Sequence, residues 1–334
     1  MLKFVVRRLV QLVPILLGLS LLVFAWVRAL PGGPETALLG ERATPARVAE
    51  VRRAYGLDRP LYQQYGSYMG RVVRLDFGQS IATQRSVASE IRRRFPATIE
   101  LTLAAMVFAI GLGLPLGFLA ARRAGTALDQ LSMGGSLLGI SVPVFFLAFI
   151  LKYVFAVKLG WLPTVGRLDV LRTVSHPTGF YVLDAVLTLD FPTLVDALRH
   201  LVLPGIALGT IPLAIVTRIT RAAVLEVVNE DYVRTARAKG LTAGVVNRRH
   251  VLKNAMLPIT TVIGLQTGLL LSGAVLTEIV FAWGGMGSFL YQAVFDRDFP
   301  VLQGGILFLA VVFVLVNLLV DISYGLLDPR IRVR

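Results

Sequence analysis

The sequence predicts an all-α integral membrane protein of six transmembrane helices, with a large helical extracytoplasmic loop and a cytoplasmic loop that carries a short helix. Three observations point there. Of 334 residues, 55% are apolar and only 16% charged, too greasy a balance for a soluble domain of this length. The apolar residues fall in runs of bilayer length. Arginine and lysine, which give a net charge of +14, flank those runs at alternate ends, as topology signals do.

Six stretches are long enough to cross a hydrocarbon core, at about 9–29, 99–121, 132–157, 201–219, 257–281 and 302–324. The first follows Lys3, Arg7 and Arg8 like a signal peptide, but its apolar part is too long and "VRALPGG" offers no A-x-A cleavage site. An uncleaved span is predicted. The 122–131 turn, the 220–256 loop and the tail with Arg330, Arg332 and Arg334 hold most of the basic residues near span ends, whereas 282–301 has only Arg297. Positive-inside then places both termini in the cytoplasm. The arginine-rich 31–98 segment is exempt, because loops longer than about 60 residues translocate largely regardless of charge.

The chain accordingly divides into a cytoplasmic N-terminus with the first span (1–30), an extracytoplasmic helical loop (31–98), a core of five spans (99–324) and a cytoplasmic tail (325–334). The core includes an extracytoplasmic loop (159–200) and the cytoplasmic loop (220–256). In 45–75, Val48, Val51 and Tyr55, then Tyr62, Tyr65, Tyr68 and Val72, recur at helical spacing, with Gly56 and Pro60 between the two pieces. "LDFGQS" (75–80) reads as a turn and 86–94 as a helix ending before Pro96. This outer cap is either a packing shelf for span ends or a docking surface. His176 and His200 in the long loop lie far apart without a carboxylate at ligand spacing, which predicts surface or interfacial histidines rather than metal ligands.

Within the spans, GxxxG occurs at Gly113–Gly117, Gly135–Gly139, Gly205–Gly209 and Gly264–Gly268, and small residues let helix backbones approach closely in lipid. Pro115, Pro143, Pro204 and Pro212 are expected to bend helices. Lys152 and Asp321 are placed near span ends, where they snorkel or pair. Gln266, Gly273 and Thr277 share a face if the fifth span is one helix. With the adjoining Glu278 they are candidates for lining a translocation path, or alternatively for hydrogen bonding between helices.

Several function classes are excluded or unsupported. Zero cysteines remove disulfides, thiolate metal sites and a cysteine nucleophile. HExxH and GxSxG are absent, and with no Gly-Lys dipeptide there is no P-loop. Any ATP is therefore bound by another polypeptide, and no cofactor is expected in this chain. The missing midplane carboxylate counts against an ion-coupled secondary carrier, the main alternative to an ATP-driven machine.

One polar decapeptide interrupts the apolar sequence: "DYVRTARAKG", residues 231–240. Asp231 stands where an N-cap would, and Gly240 where a helix stops. Ala236 and Ala238 leave room for close approach, while Arg234, Arg237 and Lys239 supply charge. Thr242 can cap a second helix, 243–256, that leads to Leu257-Pro258 and the fifth span. On chemistry alone this is a docking element or a solvated basic loop.

"DYVRTARAKGL" followed by "RRHVLKNAMLP" resembles the cytoplasmic coupling-helix loop of ATP-binding-cassette importer permeases, in the dipeptide/oligopeptide/nickel branch. The likeness extends over nearly the whole chain: "RRLVQLVPILLGLSLLVF", "RALPGGP", "YGLDRPLYQQYGSYMG", "LDFGQSI", "FPATIELTL", "TRITRAAVLEV", "TEIVFAWGGMG", "DRDFPVLQGG" and "DPRIR". Arg234 and Thr235 depart from the general glutamate-alanine pattern, Ala236 and Gly240 keep it, and Gly284 stands where proline is frequent. The resemblance implies a permease in the bacterial inner membrane. It implies a second homologous permease subunit as partner, two ATPase subunits holding ATP and Mg, and an extracytoplasmic substrate-binding protein. Membrane lipid surrounds it and no nucleic acid is bound. The coupling contact would fall on Asp231, Tyr232, Arg234, Thr235, Ala236, Arg237, Ala238, Lys239 and Gly240. Peptides are the implied cargo, with nickel or another small solute as the alternative.

Overall fold

The computed structural model describes residues 2–29, 44–54, 58–172 and 178–327. His176, the tail arginines and most of "RALPGGP" lie outside them. The described residues are almost wholly helical: α1 (Leu2–Ala29), α2 (Pro45–Ala54), α3 (Leu61–Val73), α4 (Val87–Arg122), α5 (Ala127–Ser141), α6 (Val144–Lys158), α7 (Tyr181–Leu187), α8 (Phe191–Val228), α9 (Asp231–Ala238), α10 (Ala243–Leu271), α11 (Val275–Val280), α12 (Met286–Phe295) and α13 (Phe299–Leu327). Two stretches, Lys152–Lys158 of α6 and Val246–Leu252 of α10, are π-helical.

Five helices are long and apolar enough to cross a membrane unbroken: Val10–Ala29, Val87–Arg122, Phe191–Val228, Ala243–Leu271 and Phe299–Ile322. The stretch expected as one span at 132–157 is instead a pair, α5 and α6, bent by 99°. Val142 is extended (φ −82°, ψ 122°) ahead of Pro143, as the clash with a following proline ring demands. Two boundaries also move. Helix α4 runs through Pro96 rather than stopping before it; Pro96 is buried in packed surroundings, and a proline removes one ladder bond without ending a supported helix. The fifth span starts at Ala243 and ends at Leu271, ten residues short of the expected 281.

The most extensive helix pair is α4 with α8, which run parallel. The glycine pairs mark their crossing. A methyl group on Gly113 or Gly117 would strike Val216, Thr217 or Thr220, and one on Gly205 or Gly209 would strike Ala104 or Ala105. Gly264 and Gly268 seat α10 on Val320 and Phe313 of α13 in the same way. Direct backbone approach replaces the hydrophobic drive that lipid cannot supply. Of the Gly135–Gly139 pair only Gly139 makes such a contact, with Thr210 of α8; Gly135 meets nothing within 4 Å.

The segment expected to cap span ends lies along α1. Phe24 stacks on Tyr65 and Tyr68, the Tyr65 hydroxyl is 2.8 Å from Ser20 Oγ, and Arg28 donates to Gln64 Oε1 at 3.0 and 2.8 Å. The "LDFGQS" turn is pinned to the start of α13. Asp298, 2% exposed, accepts from Ser80 Oγ (2.6 Å), the Ala82 amide (3.1 Å) and the Val301 amide (3.3 Å). Gly304 leaves the space that Phe77 occupies.

Candidate functional site

Helix α9 sits where α4, α8 and α10 converge. Its sequence is amphipathic over barely two turns: Val233 (0% exposed) and Ala236 (5%) face inward, and the rest of the decapeptide faces out. The inward pair joins a core of Ala121, Ala223, Val224, Val246, Val251, Ala255 and Ile259. A helix this short is marginal alone; the buried stripe holds it. Asp231, Tyr232, Arg234, Thr235, Arg237, Ala238, Lys239 and Gly240 are exposed. They form a basic surface beside Arg248, Arg249 and Lys253, which are exposed on α10.

Three details differ from the expectations. The N-cap is Glu230 (φ −68°, ψ 147°), with no side-chain capping bond, so Asp231 is the first helical residue. Its carboxylate pairs instead with Arg234 Nη2 at 2.7 Å, an acid in the first turn where the helix dipole favours it. Ala236 is small to fit its own chain's core, leaving Ala238 as the small residue available to a partner. Thr242 occupies the cap position of α10, but its hydroxyl makes no capping bond. Gly240 does end α9, with φ +77°, the left-handed stop that glycine takes without penalty. Partial burial of the Tyr232 ring, followed by the nearby Glu230, raises its phenol above the ordinary tyrosine range, against an opposing hydrogen bond to Asn254.

At the opposite end of the bundle the four path candidates separate. Helix α10 stops at Leu271, Ser272 caps it, and Gly273 takes φ +134°, so Gln266, Gly273 and Thr277 share no continuous helical face. Gln266 stays on α10, half-buried. Thr277 (1% exposed) and Glu278 (0%) are buried on α11. Glu278 Oε1 accepts from Thr98 Oγ1 (2.8 Å) and Oε2 from the Ser288 amide (2.8 Å), while the Met286 amide donates to Thr98 Oγ1 (2.8 Å). Two side chains thus satisfy orphan N–H groups at the start of α12. Any side chain at Gly285 would collide with both Glu278 and Thr98. Gly284 has φ +71°, which proline cannot adopt.

Further ties fix this end. Trp283 Nε1 donates to Ala97 O (2.8 Å), the Gly166 amide to Phe281 O (2.8 Å) and Lys152 Nζ to Val280 O (2.9 Å). Arg167 pairs with Glu100 at 2.6 Å, donates to Gly179 O at 2.9 Å and stacks 3.7 Å from the Tyr181 ring centre. Glu100 also accepts from the Val182 amide (2.8 Å). One turn of α4, residues 97–100, therefore anchors three separate segments. Lys152 apart, no spacing rule singles these residues out, because their partners lie 12 to 186 positions away. Of the surface and interfacial positions expected for it, His200 does not take the surface one. It is buried (7% exposed), with Nδ1 2.9 Å from Asp196 O and 3.5 Å from Asp196 Oδ1, a carboxylate one turn back that the spacing rule overlooked.

Between α4, α5 and α8 lies a cleft of about 320 Å³. Its hydroxyls on Ser136, Thr210 and Thr217 bond carbonyls one turn back, at 2.8, 2.8 and 2.7 Å. Where α5 and α8 meet at the α9 end, Arg221 and Asp129 form a two-bond ion pair at 2.5 and 2.8 Å.

Residues 113–333 match the family model described as binding-protein-dependent transport system inner membrane component, and residues 1–102 match the model for the N-terminal part of such components. The chain is 50% identical over 333 residues to a di/tripeptide transport system permease protein of Pseudomonas aeruginosa, covering 99% of each. It is 46% identical over 336 residues to a dipeptide transport system permease protein of Escherichia coli, again covering 99% of each. Among solved structures it is similar to the methionine ABC transporter MetNI in an inward-facing conformation, with a TM-score of 0.52 and 18% identity, covering 71% of this chain and 96% of that one. At that identity the likeness speaks for the fold.

Proposed function

This chain belongs to the binding-protein-dependent transport system inner membrane components, and from that membership we propose that it forms half of the path of an ATP-driven peptide importer. A second, homologous permease supplies the other half. Two cytoplasmic ATPase subunits bind ATP and Mg, which this chain does not, and an extracytoplasmic binding protein delivers di- or oligopeptides. The names of the relatives, one a di/tripeptide and the other a dipeptide transport permease over full length, support the substrate class. The exposed arginines and lysines at the α9 end support its cytoplasmic placement, with both termini on that side.

The observation that carries the mechanism is the seating of α9. Val233 and Ala236 clamp it to the ends of α4, α8 and α10, so that a displacement of α9 moves three spans together. Its outward face offers Arg234, Arg237 and Lys239 around the small Ala238, a surface suited to an acidic or carbonyl-lined groove on an ATPase. Closure of the ATPases on ATP then pushes a rigid lever.

The test is uptake by proteoliposomes holding the assembled importer. Labelled dipeptide should accumulate only with ATP inside and binding protein outside. Accumulation driven by an ion gradient without ATP would overturn the reading, and ATP-driven uptake of nickel but no peptide would overturn the substrate class.

A further inference from the structure

Lys152 is a cation in an apolar place. It follows Val144–Leu151, "VFFLAFIL", and opens the π-helical stretch of α6, a geometry that recurs at functional positions. Six residues on, Lys158 lies 5.6 Å from the Tyr153 ring centre, and Trp161 follows, 60% exposed. That lysine and tryptophan mark the membrane interface. Lys152 lies deeper, and its side chain turns inward rather than back toward that belt: Nζ donates to Val280 O at 2.9 Å and lies 6.0 Å from the Phe281 ring centre.

Its partner there is a carbonyl, not an anion. Among the described residues no carboxylate lies within ion-pair distance of Lys152. The buried carboxylates of the segments packed nearby are taken: Glu278 by Thr98 and Ser288, Glu100 by Arg167 and Val182. An ammonium has three donors, and one is accounted for. A half-buried cation without a counter-ion is costly within a membrane and faces the bundle interior or a water-filled route. The carbonyl end of α11 holds it with partial charge, a hold that a full carboxylate outcompetes.

We propose that the Lys152 ammonium is a subsite for the C-terminal carboxylate of the transported peptide. The inference rests on the peptide-importer reading above and adds a residue and a substrate group to it. The inward turn of the side chain, away from the Lys158–Trp161 belt, disfavours a lipid headgroup as the anion. A carboxylate contributed by the second permease is the rival, and the experiment separates the two.

The complete importer with Lys152→Gln and Lys152→Arg is reconstituted and supplied with labelled dialanine at limiting concentration. Glutamine keeps an N–H donor on a stem one bond shorter but carries no charge. Uptake should fall roughly tenfold or more for Lys152→Gln, the loss of one charge-assisted hydrogen bond. Lys152→Arg should keep most of it, with assembly and basal ATP hydrolysis unchanged in both. During wild-type turnover, a water-soluble carbodiimide should couple Lys152 to labelled dialanine, seen by mass spectrometry, and this product decides the matter if Lys152→Gln fails to assemble. Uptake by Lys152→Gln within twofold of wild type, or coupling of Lys152 to a carboxylate of the second permease instead, overturns the proposal. A wild-type importer that moves no peptide overturns the functional reading itself.

Discussion

The Thr98 hydroxyl donates to Glu278 Oε1 over 2.8 Å across 180 residues of sequence, and the same hydroxyl accepts the Met286 amide. Removing it strips a donor from a buried carboxylate and an acceptor from a helix start at once. Thr98→Val should lower stability by about 1–3 kcal/mol, the range for leaving buried polar groups unsatisfied. Thermal unfolding in detergent reads this; a midpoint equal to wild type would show that the two groups find other partners.

Ala236 and Ala238 lie two residues apart and should behave oppositely. Ala236→Leu overpacks the cluster around Val224 and Val251, costing about 1–3 kcal/mol. Ala238→Glu changes only the exposed face: unfolding should be unaffected while ATP-driven uptake collapses. Loss of stability by Ala238→Glu, or full uptake, would contradict the assignment of faces.

Glycine pairs make a sharper contrast. A methyl group on Gly209 would lie 2.6 Å from Ala105 O, and a backbone atom cannot step aside, so Gly209→Ala should cost about 1–3 kcal/mol. Gly135→Ala meets nothing within 4 Å and should leave the isolated subunit's unfolding unchanged. If it impairs assembly with the second permease while sparing the subunit, Gly135 is an intersubunit contact.

Ser80 and Asp298 hold the 80–86 turn to α13. Ser80→Ala removes one of the three donors to Asp298 and should open the turn locally before the bundle unfolds. The readout is faster tryptic cleavage after Arg85, whose side chain is already 61% exposed; an unchanged cleavage rate would mean the two amides suffice.

Asp190 caps α8 by accepting from the Thr193 hydroxyl and amide, at 2.7 and 3.1 Å. The Thr193 hydroxyl, then its amide, hold the Asp190 carboxyl below the ordinary carboxylate range. A depressed folded value means its stabilisation is present above the ordinary value, about 3.9, and is lost as pH falls through the folded one. Asp190→Ala should unfold earlier at neutral pH and show a shallower loss of stability on acidification; an acid limb identical to wild type would refute the cap's role.

Much of this was written in local patterns. Runs of about 20 apolar residues are their own evidence for spans, and the polar decapeptide ending in Gly240 marked α9, whose stop needed only glycine's tolerance of positive φ. The misjudged points are those where a neighbour decides. The break at Val142–Pro143 turned a span into a bent pair, and α4 ran through Pro96 because packing supports it there. The fifth span ended at Leu271 because Glu278 and Thr98 claim the next segment for the cap of α12.

By itself, the sequence determined the membrane class, five of the six apolar crossings, the basic end and the short helix upon it, since each depends on residues within a few turns of one another. Only the tertiary structure decided that Ala236 faces inward, that Thr277 and Glu278 are buried away from Gln266, and that Glu100 holds Arg167. Those outcomes rest on partners distant in the chain, brought together by the packing of α4 against α8. Hydrogen bonds and ion pairs depend on distances of a few ångströms, and no spacing along one strand of text encodes them.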